Sequence, residues 1–148
     1  MECLRLSEEW EDRLYKFFEC LVAAKDDQYF HPHPFTKEEA HKKAIYAGKD
    51  YYSILTDGSE IIGYGMLRGW DEGCEVPSLG IAIHPDYRSK GMGLLLMQHL
   101  HKYAKAKKSP RIMLKVYPTN IAALRLYKKL GYQFDTEQQG QLVGFYDF

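Results

Sequence analysis

A short basic turn that contains two glycines stands near the middle of this chain. Arg88, Lys90, Gly91 and Gly93 lie between an apolar run and a segment with helical periodicity. Backbone N–H groups at the start of a helix have no partner within the helix and carry about half a positive charge, so they bind anions. The glycines lack a Cβ, which lets a bulky anion approach the main chain, and the two basic side chains add full charges. We therefore predict that this turn holds phosphate groups.

The segments on either side of the turn place it between a strand and a helix. The apolar run Leu79–Ile83 predicts a strand, which ends before Pro85 because proline lacks a backbone donor. A helix is predicted from Gly93 onward, since apolar side chains recur at helical spacing at Leu96, Met97, Leu100, Tyr103 and Ala104. Neither the nucleoside-triphosphate motif G-x-x-x-x-G-K-[ST] nor the dinucleotide motif G-x-G-x-x-G occurs at the turn.

The rest of the chain predicts two early helices, a hairpin and then alternating strands and helices. Ser7 is predicted to cap the first helix, and Thr36 with Glu39 matches the capping box of a second helix that runs to about Ala47. Strands are predicted at residues 3–6, 51–55, 61–67, 79–83, 112–117, 132–134 and 142–146, and later helices at 93–104 and 120–130. This order predicts an α/β (α+β) fold with a mixed, mostly antiparallel central sheet and helices on both faces.

Length and composition limit the classes of protein to which the chain can belong. Of its 148 residues, 45% are hydrophobic, so residues 1–148 are predicted to form a single domain with one core. Twenty basic residues balance twenty acidic ones, which gives no reason to expect nucleic acid or a membrane as partner. The three cysteines lack C-x-x-C spacing, which argues against a disulfide framework or a zinc site. With no signal-peptide pattern and no membrane-length apolar run, the protein is predicted to be cytoplasmic.

The stretch Asp26–Phe35 has aromatic residues and prolines but no periodicity, and is predicted to be a loop. Two histidines within it, His31 and His33, have a spacing that is able to bind a metal ion, but the sequence does not complete a ligand set beside them. No metal site is predicted. We interpret the segment as a stiff surface loop that is also able to form one wall of a substrate pocket.

Two segments of the chain resemble signatures of one family. The turn, through Arg88, Gly91 and Gly93, resembles the acyl-CoA-binding motif Q/R-x-x-G-x-G/A of the GNAT superfamily of N-acyltransferases. A second signature of that family is matched at Asn120, Ala123, Leu126, Tyr127, Gly131 and Tyr132. Two motifs in the right order and roughly 30 residues apart are a stronger signal than either alone. The resemblance extends from about Tyr51 to the end of the chain.

The resemblance implies a splayed pair of neighbouring parallel strands, those ending at Ile83 and Tyr117, with the pantetheine arm of the cofactor between them. The arm would pair with backbone groups around Ile81 and Ile83, as an added strand would. Asn120 would contact the cofactor arm, and acetyl-CoA would be the co-substrate, with no metal. The implied cofactor-binding residues are Ile81, Ile83, Arg88, Ser89, Lys90, Gly91, Met92, Gly93 and Asn120.

The resemblance assigns Tyr127 the role of general acid, which protonates the departing thiolate. A neutral phenol is able to donate that proton, although Tyr127 also lies on an apolar helix face, where a packed aromatic residue is the alternative. The positions at which family members often place a basic glutamate correspond to Ser78 and Lys115, and neither is a carboxylate. Glu75 is the possible base, and a solvated surface residue is the alternative interpretation. His84 is interpreted as structural.

The first hypothesis is therefore an acyl-CoA-dependent N-acyltransferase that transfers an acetyl group to a primary amine of a small molecule or peptide by direct attack in a ternary complex. The missing base suggests an alternative, a non-catalytic acyl-CoA-binding module. A third hypothesis is a nucleotide-phosphate binder. Either a monomer or a homodimer is compatible with the sequence.

Overall fold

Seven strands form one mixed sheet in the computed structural model, which describes all 148 residues. The strands are β1 Glu2–Arg5, β2 Tyr51–Thr56, β3 Ile61–Arg68, β4 Ser78–Ile83, β5 Arg111–Val116, β6 Gln133–Gln138 and β7 Gln141–Asp147. The helices are α1 Glu11–Ala23, α2 Lys37–Ala44, α3 Met92–Ala106 and α4 Ile121–Leu130.

The strand order is β1-β2-β3-β4-β5-β7-β6, and every neighbouring pair is antiparallel except β4 and β5. Parallel strands need a crossover connection, and here α3 supplies it. The predicted fold class, a mostly antiparallel sheet with one parallel pair, is confirmed.

Both faces of the sheet are covered by amphipathic helices. On one face, Leu14, Phe17 and Phe18 of α1 pack with Tyr64 of β3 in a buried cluster. On the other face, a second cluster joins side chains of α3 and α4, among them Leu96, Leu100 and Tyr127, to the inner residues of β5. Alternation along each strand thus separates the two cores, as period-two side-chain orientation requires.

Several predicted boundaries shift for local reasons. Ser7 precedes a 3-10 turn, Glu8–Trp10, and its side chain makes no capping hydrogen bond, so the predicted cap is wrong. Thr36 Oγ1 does accept the Glu39 N–H at 3.1 Å. The second helix ends at Ala44 rather than Ala47, and the Tyr46 N–H then donates to the Lys43 carbonyl at 3.3 Å in a tighter, non-α turn.

The final hairpin is longer than predicted. Its connecting residues, Gln139 and Gly140, have φ values of 52° and 81°. Two successive residues with positive φ make a tight hairpin turn whose twist matches that of the strands. The polar connection therefore folds back at once, and β6 extends to Gln138.

Two further observations concern the whole chain. No helix has both the length and the apolar character that crossing a bilayer requires. Cys3, Cys20 and Cys74 are all free thiols.

Candidate active site

A gap opens in the sheet between β4 and β5. Along its whole length β4 pairs with β3, from Arg68↔Ser78 to Gly63↔Ile83. With β5 it shares only the Ser78↔Met113 position, next to a hydrogen bond from the Met113 N–H to the Pro77 carbonyl. Beyond this point the two strands diverge. The predicted splayed pair is therefore present.

The edge of β4 that faces the gap carries unpaired backbone groups. The His84 N–H donates to the Ile62 carbonyl of β3 at 2.7 Å. Because backbone groups alternate in direction along a strand, Ile81 and Ile83 point their N–H groups the other way, toward β5. The predicted contact residues Ile81 and Ile83 thus present free donors to the gap, and an extended ligand is able to use them as a strand would.

The predicted phosphate turn lies at the open end of the gap. After β4, a 3-10 turn, Pro85–Tyr87, is capped by His84, whose Nδ1 accepts the Asp86 N–H at 3.1 Å. Ser89 and Gly91 then adopt positive φ, at 60° and 80°, and α3 begins directly after Gly91. The first turn of α3 contains no acidic residue. Its N–H groups, including those of Met92 and Gly93, therefore keep the positive potential of a helix start.

The two glycines of the turn serve different purposes. Gly91 needs its positive φ, and a Cβ there would meet no atom within 4 Å, so the space above it is open. A Cβ on Gly93 would lie 3.2 Å from Cδ2 of Leu126 in α4. Gly93 thus permits the close packing of α3 against α4. The sequence alone suggests only that the missing Cβ lets a ligand approach the main chain.

The basic side chains of the turn are already engaged by the protein. Arg88 forms an ion pair with Asp26 and donates to the Ile83 carbonyl at 3.3 Å. Lys90 Nζ donates to the Asp86 carbonyl at 3.3 Å. The structure therefore ties Arg88 to the loop that follows α1, whereas the sequence suggested a free cation at the rim.

Tyr127 lies in α4 and is buried, with 8% of its surface exposed. Burial raises the pKa of Tyr127 to about 12. Its hydroxyl makes none of the side-chain hydrogen bonds of the structure, although the ring of Tyr132 is 5.9 Å away, centroid to centroid. The phenol thus stays protonated at neutral pH and has its donor unused, which suits a proton donor.

The other predicted site residues differ in their surroundings. Asn120 precedes the first residue of α4, and its side chain makes no capping bond, so its amide is available. Glu75 is exposed, and no hydrogen bond or ion pair holds its carboxylate. Lys115 is exposed as well. The structure therefore brings no carboxylate to the gap from these positions.

The loop Asp26–Phe35 crosses the gap on the face that α1 and α2 cover. Phe30 lies against Gly80 of β4, where a Cβ would come within 3.1 Å of its ring. His31 Nε2 lies 2.9 Å from the hydroxyl of Tyr117, directly after β5. The sequence analysis did not single out Tyr117 as a site residue, and only its place after a splayed strand could have drawn attention to it.

The two histidines of the loop are not arranged as a metal site. His33 donates through Nδ1 to the Pro34 carbonyl at 2.7 Å, so its Nε2 accepts the Tyr64 hydroxyl at 2.9 Å. Burial is the main reason that the pKa of His33 is lowered. The structure contains no group of three or more His, Cys, Asp or Glu side chains able to hold a metal ion.

The fold is that of known GNAT proteins. The chain is similar to the PaiA N-acetyltransferase from Thermoplasma acidophilum, solved in complex with coenzyme A, with a TM-score of 0.79 and 17% identity over 99% of this chain and 98% of that chain. It is also similar to the ribosomal-protein-S18-alanine N-acetyltransferase from Escherichia coli, with a TM-score of 0.75 and 18% identity over 99% of this chain and 92% of that chain.

The sequence gives the same assignment more directly. The sequence model of the Acetyltransferase (GNAT) family matches residues 7–132 of the chain. The chain therefore belongs to this family. An acetyltransferase from Sodalis glossinidius is 31% identical over 84 residues, which are 57% of this chain and 58% of that protein. The match thus spans less than two thirds of that relative's length.

Proposed function

We propose that the protein is an acyl-CoA-dependent N-acyltransferase that transfers an acetyl group from acetyl-CoA to a primary amine of a small molecule or peptide. The observation that carries the proposal is the gap between β4 and β5, with the phosphate turn at its open end. Within residues 1–148, which we take to act as one domain, this gap combines free strand donors with a helix start, and we propose that the buried phenol of Tyr127 serves it from α4.

The cofactor would lie along the gap. The free N–H groups of Met92 and Gly93 at the start of α3 would bind the diphosphate, with open space above Gly91 for its approach. The pantetheine arm would pair with the N–H groups of Ile81 and Ile83, and the side-chain amide of Asn120 would add a polar contact. This arrangement directs the thioester down the gap toward the Ser78↔Met113 position.

The chemistry would proceed by direct attack of the amine on the thioester. The nitrogen lone pair forms the new C–N bond, the C–S bond breaks, and the thiolate takes a proton from Tyr127. Burial keeps that proton in place at neutral pH, since the pKa of Tyr127 is raised to about 12. Positioning of the two reactants in the gap would supply much of the rate enhancement.

The acceptor would enter from the α1 and α2 face, because α3 and α4 close the opposite face. Around this entrance lie the rings of Tyr29, His31 and Tyr117, with the Tyr29 and Tyr117 centroids 6.4 Å apart. Aromatic faces attract cations, so the entrance suits an ammonium group. The protein named above as a ribosomal-protein-S18-alanine N-acetyltransferase acts on a protein amine, and we extend only the amine character to this chain.

A non-catalytic acyl-CoA-binding module is the second candidate. It is favoured by the absence of a carboxylate at Ser78 and Lys115 and by the exposure of Glu75. Such a module would bind the cofactor through the same turn and gap but release no thiol.

Calorimetry and a turnover assay test the proposal together. Coenzyme A and acetyl-CoA are expected to bind more tightly than ATP, and a panel of amines with acetyl-CoA is expected to yield acceptors that release the free thiol. Binding without release of thiol for any small amine or N-terminal peptide would favour the module. Absence of coenzyme A binding would refute both candidates.

A further inference from the structure

An amine must be deprotonated before it attacks, and the strand positions expected to supply a base do not do so. An ammonium group has no lone pair, so some group in the gap must take its proton. Lys115 on β5 and Glu75 before β4 are both exposed, and neither side chain makes a hydrogen bond or an ion pair. Lys115 also carries an amine where a carboxylate base is expected. A base must therefore come from elsewhere around the gap, and the loop Asp26–Phe35 covers it.

Tyr117 occupies the same face of the sheet as Lys115. Ile112, Leu114 and Val116 of β5 point into the core beneath α3 and α4. By alternation, Lys115 and Tyr117 point to the opposite face, where the amine would enter. Tyr117 is half-buried directly after β5, whereas Tyr127 belongs to the core on the other face. The two tyrosines therefore lie on opposite faces of the sheet.

A histidine lies in hydrogen-bond contact with Tyr117 and has its other nitrogen free. His31 Nε2 and the Tyr117 hydroxyl are 2.9 Å apart, and the two ring centroids 5.9 Å. Nδ1 of His31 makes no side-chain hydrogen bond, and the ring is exposed to water. His33, two residues further on, differs because Pro34 and Tyr64 occupy both of its nitrogens.

We propose that Tyr117 and His31 form the proton relay that activates the amine, an inference that rests on the proposed function. With Nε2 of His31 unprotonated, the Tyr117 hydroxyl donates to it. As the ammonium gives a proton to the Tyr117 oxygen, Tyr117 passes its own proton to Nε2. The phenol is never ionised, and the amine gains its lone pair.

Every proton of the full reaction is then accounted for. The relay removes the first proton from the ammonium, and the imidazolium returns one to water through its exposed face. A second proton leaves the nitrogen as the amide forms, and it replaces the one that Tyr127 gives to the thiolate. One proton is released for each acetyl group transferred, and no further co-reactant is needed.

The loop itself holds the relay in position at several points. Phe30 rests on Gly80, and Arg68 Nη1 donates to the Pro32 carbonyl at 2.9 Å. These contacts lie on either side of His31 in the sequence. The imidazole is therefore held over the gap between β4 and β5, although it belongs to a loop.

Steady-state kinetics on conservative variants tests the relay, with the fastest amine of the panel as acceptor. His31→Gln and Tyr117→Phe are each expected to lower kcat about 100-fold, while the affinity for acetyl-CoA by calorimetry stays within about twofold. The double variant is expected to be no slower than either single one, because a relay fails as a unit. Imidazole added to His31→Ala is expected to restore activity by about tenfold or more.

A matched control comes from the same loop. His33→Gln removes the second histidine, which contacts Tyr64 rather than Tyr117. It is expected to keep kcat within about threefold, even though it loses its bond to Tyr64 and should melt at a lower temperature.

The outcomes separate the relay from the proposed function. Equal losses in His33→Gln and His31→Gln, failure of imidazole to rescue, or kcat near wild type in Tyr117→Phe would each overturn the relay while amine acetylation stands. Wild-type protein that acetylates no amine at all would refute the proposed function, and the relay with it.

Discussion

Replacing Tyr127 by Phe distinguishes a catalytic role of the hydroxyl from a packing role of the ring. The ring lies in the core beneath the sheet, and the substitution keeps it. The hydroxyl makes no side-chain hydrogen bond, so its loss should leave the free energy of unfolding within about 0.5 kcal/mol of wild type. If Tyr127 is the general acid, kcat should nevertheless fall at least about 100-fold, with unchanged affinity for acetyl-CoA.

The neighbouring tyrosine provides the control. Tyr132 is also buried, but His101 Nε2 lies 2.7 Å from its hydroxyl. Tyr132→Phe should therefore lose about 1 kcal/mol of stability and melt about 2–4 °C lower, with normal kcat. The two variants are thus expected to show opposite patterns in a thermal melt and in a thiol-release assay.

The raised pKa of Tyr127 predicts a difference at alkaline pH. An unfolded tyrosine ionises near pH 10, but the folded one only near its pKa of about 12. The bound proton therefore stabilises the folded state fully below pH 10, and this stabilisation is lost as the pH rises toward 12. It amounts to about 2–3 kcal/mol. Urea unfolding at pH 9 and above pH 11 should therefore show a smaller loss in Tyr127→Phe than in wild type. A loss remains in the variant because the pKa values of Tyr52, Tyr64 and Tyr132 are raised as well.

Two results would refute this reasoning. A kcat near wild type would remove Tyr127 from the reaction and leave it as a core residue. A loss of stability in Tyr127→Phe as great as that of Tyr132→Phe would mean that the hydroxyl is bonded within the protein and not free to donate to a ligand.

Four other variants, one of them a control, test the rest of the site. Asp26→Asn releases Arg88 from its ion pair and should tighten coenzyme A binding about two- to fivefold by calorimetry; unchanged affinity would mean that Arg88 does not contact the cofactor. Gly91→Ala and Gly73→Ala, at φ of 80° and 81°, should each lose about 1–2 kcal/mol in urea unfolding, but only the first should weaken coenzyme A binding. Glu75→Gln should keep kcat within about twofold, because that exposed carboxylate contacts nothing; a large loss would restore it as the base.

The architecture and the position of the turn before α3 could be predicted from the sequence because both depend on local signals; phosphate binding by that turn stays a prediction. Apolar periodicity located the helices of both faces, and the glycines marked the start of α3. A proline and a pair of glycines restrict the backbone strongly over a few residues, so their effect does not depend on distant contacts. The splayed strands came from the family resemblance alone.

The contacts of the loop could not be predicted in this way. His31 and Tyr117 are 86 positions apart, and Asp26 and Arg88 are 62 apart. No periodicity or motif joins such pairs, and only the packed fold determines that they meet. The same is true of Gly93, whose contact with Leu126 depends on how α3 and α4 approach each other.

The junction at Ser78 and Met113 has a consequence for how the molecule holds together. On one side of it four strands form an antiparallel unit, and on the other side three strands form a second unit. A bound ligand that pairs with Ile81 and Ile83 would bridge the two units and act as an eighth strand between them. Slowed amide hydrogen exchange at those two residues would then report occupancy, and the cofactor would stabilise the tertiary structure as well as supply the reacting group.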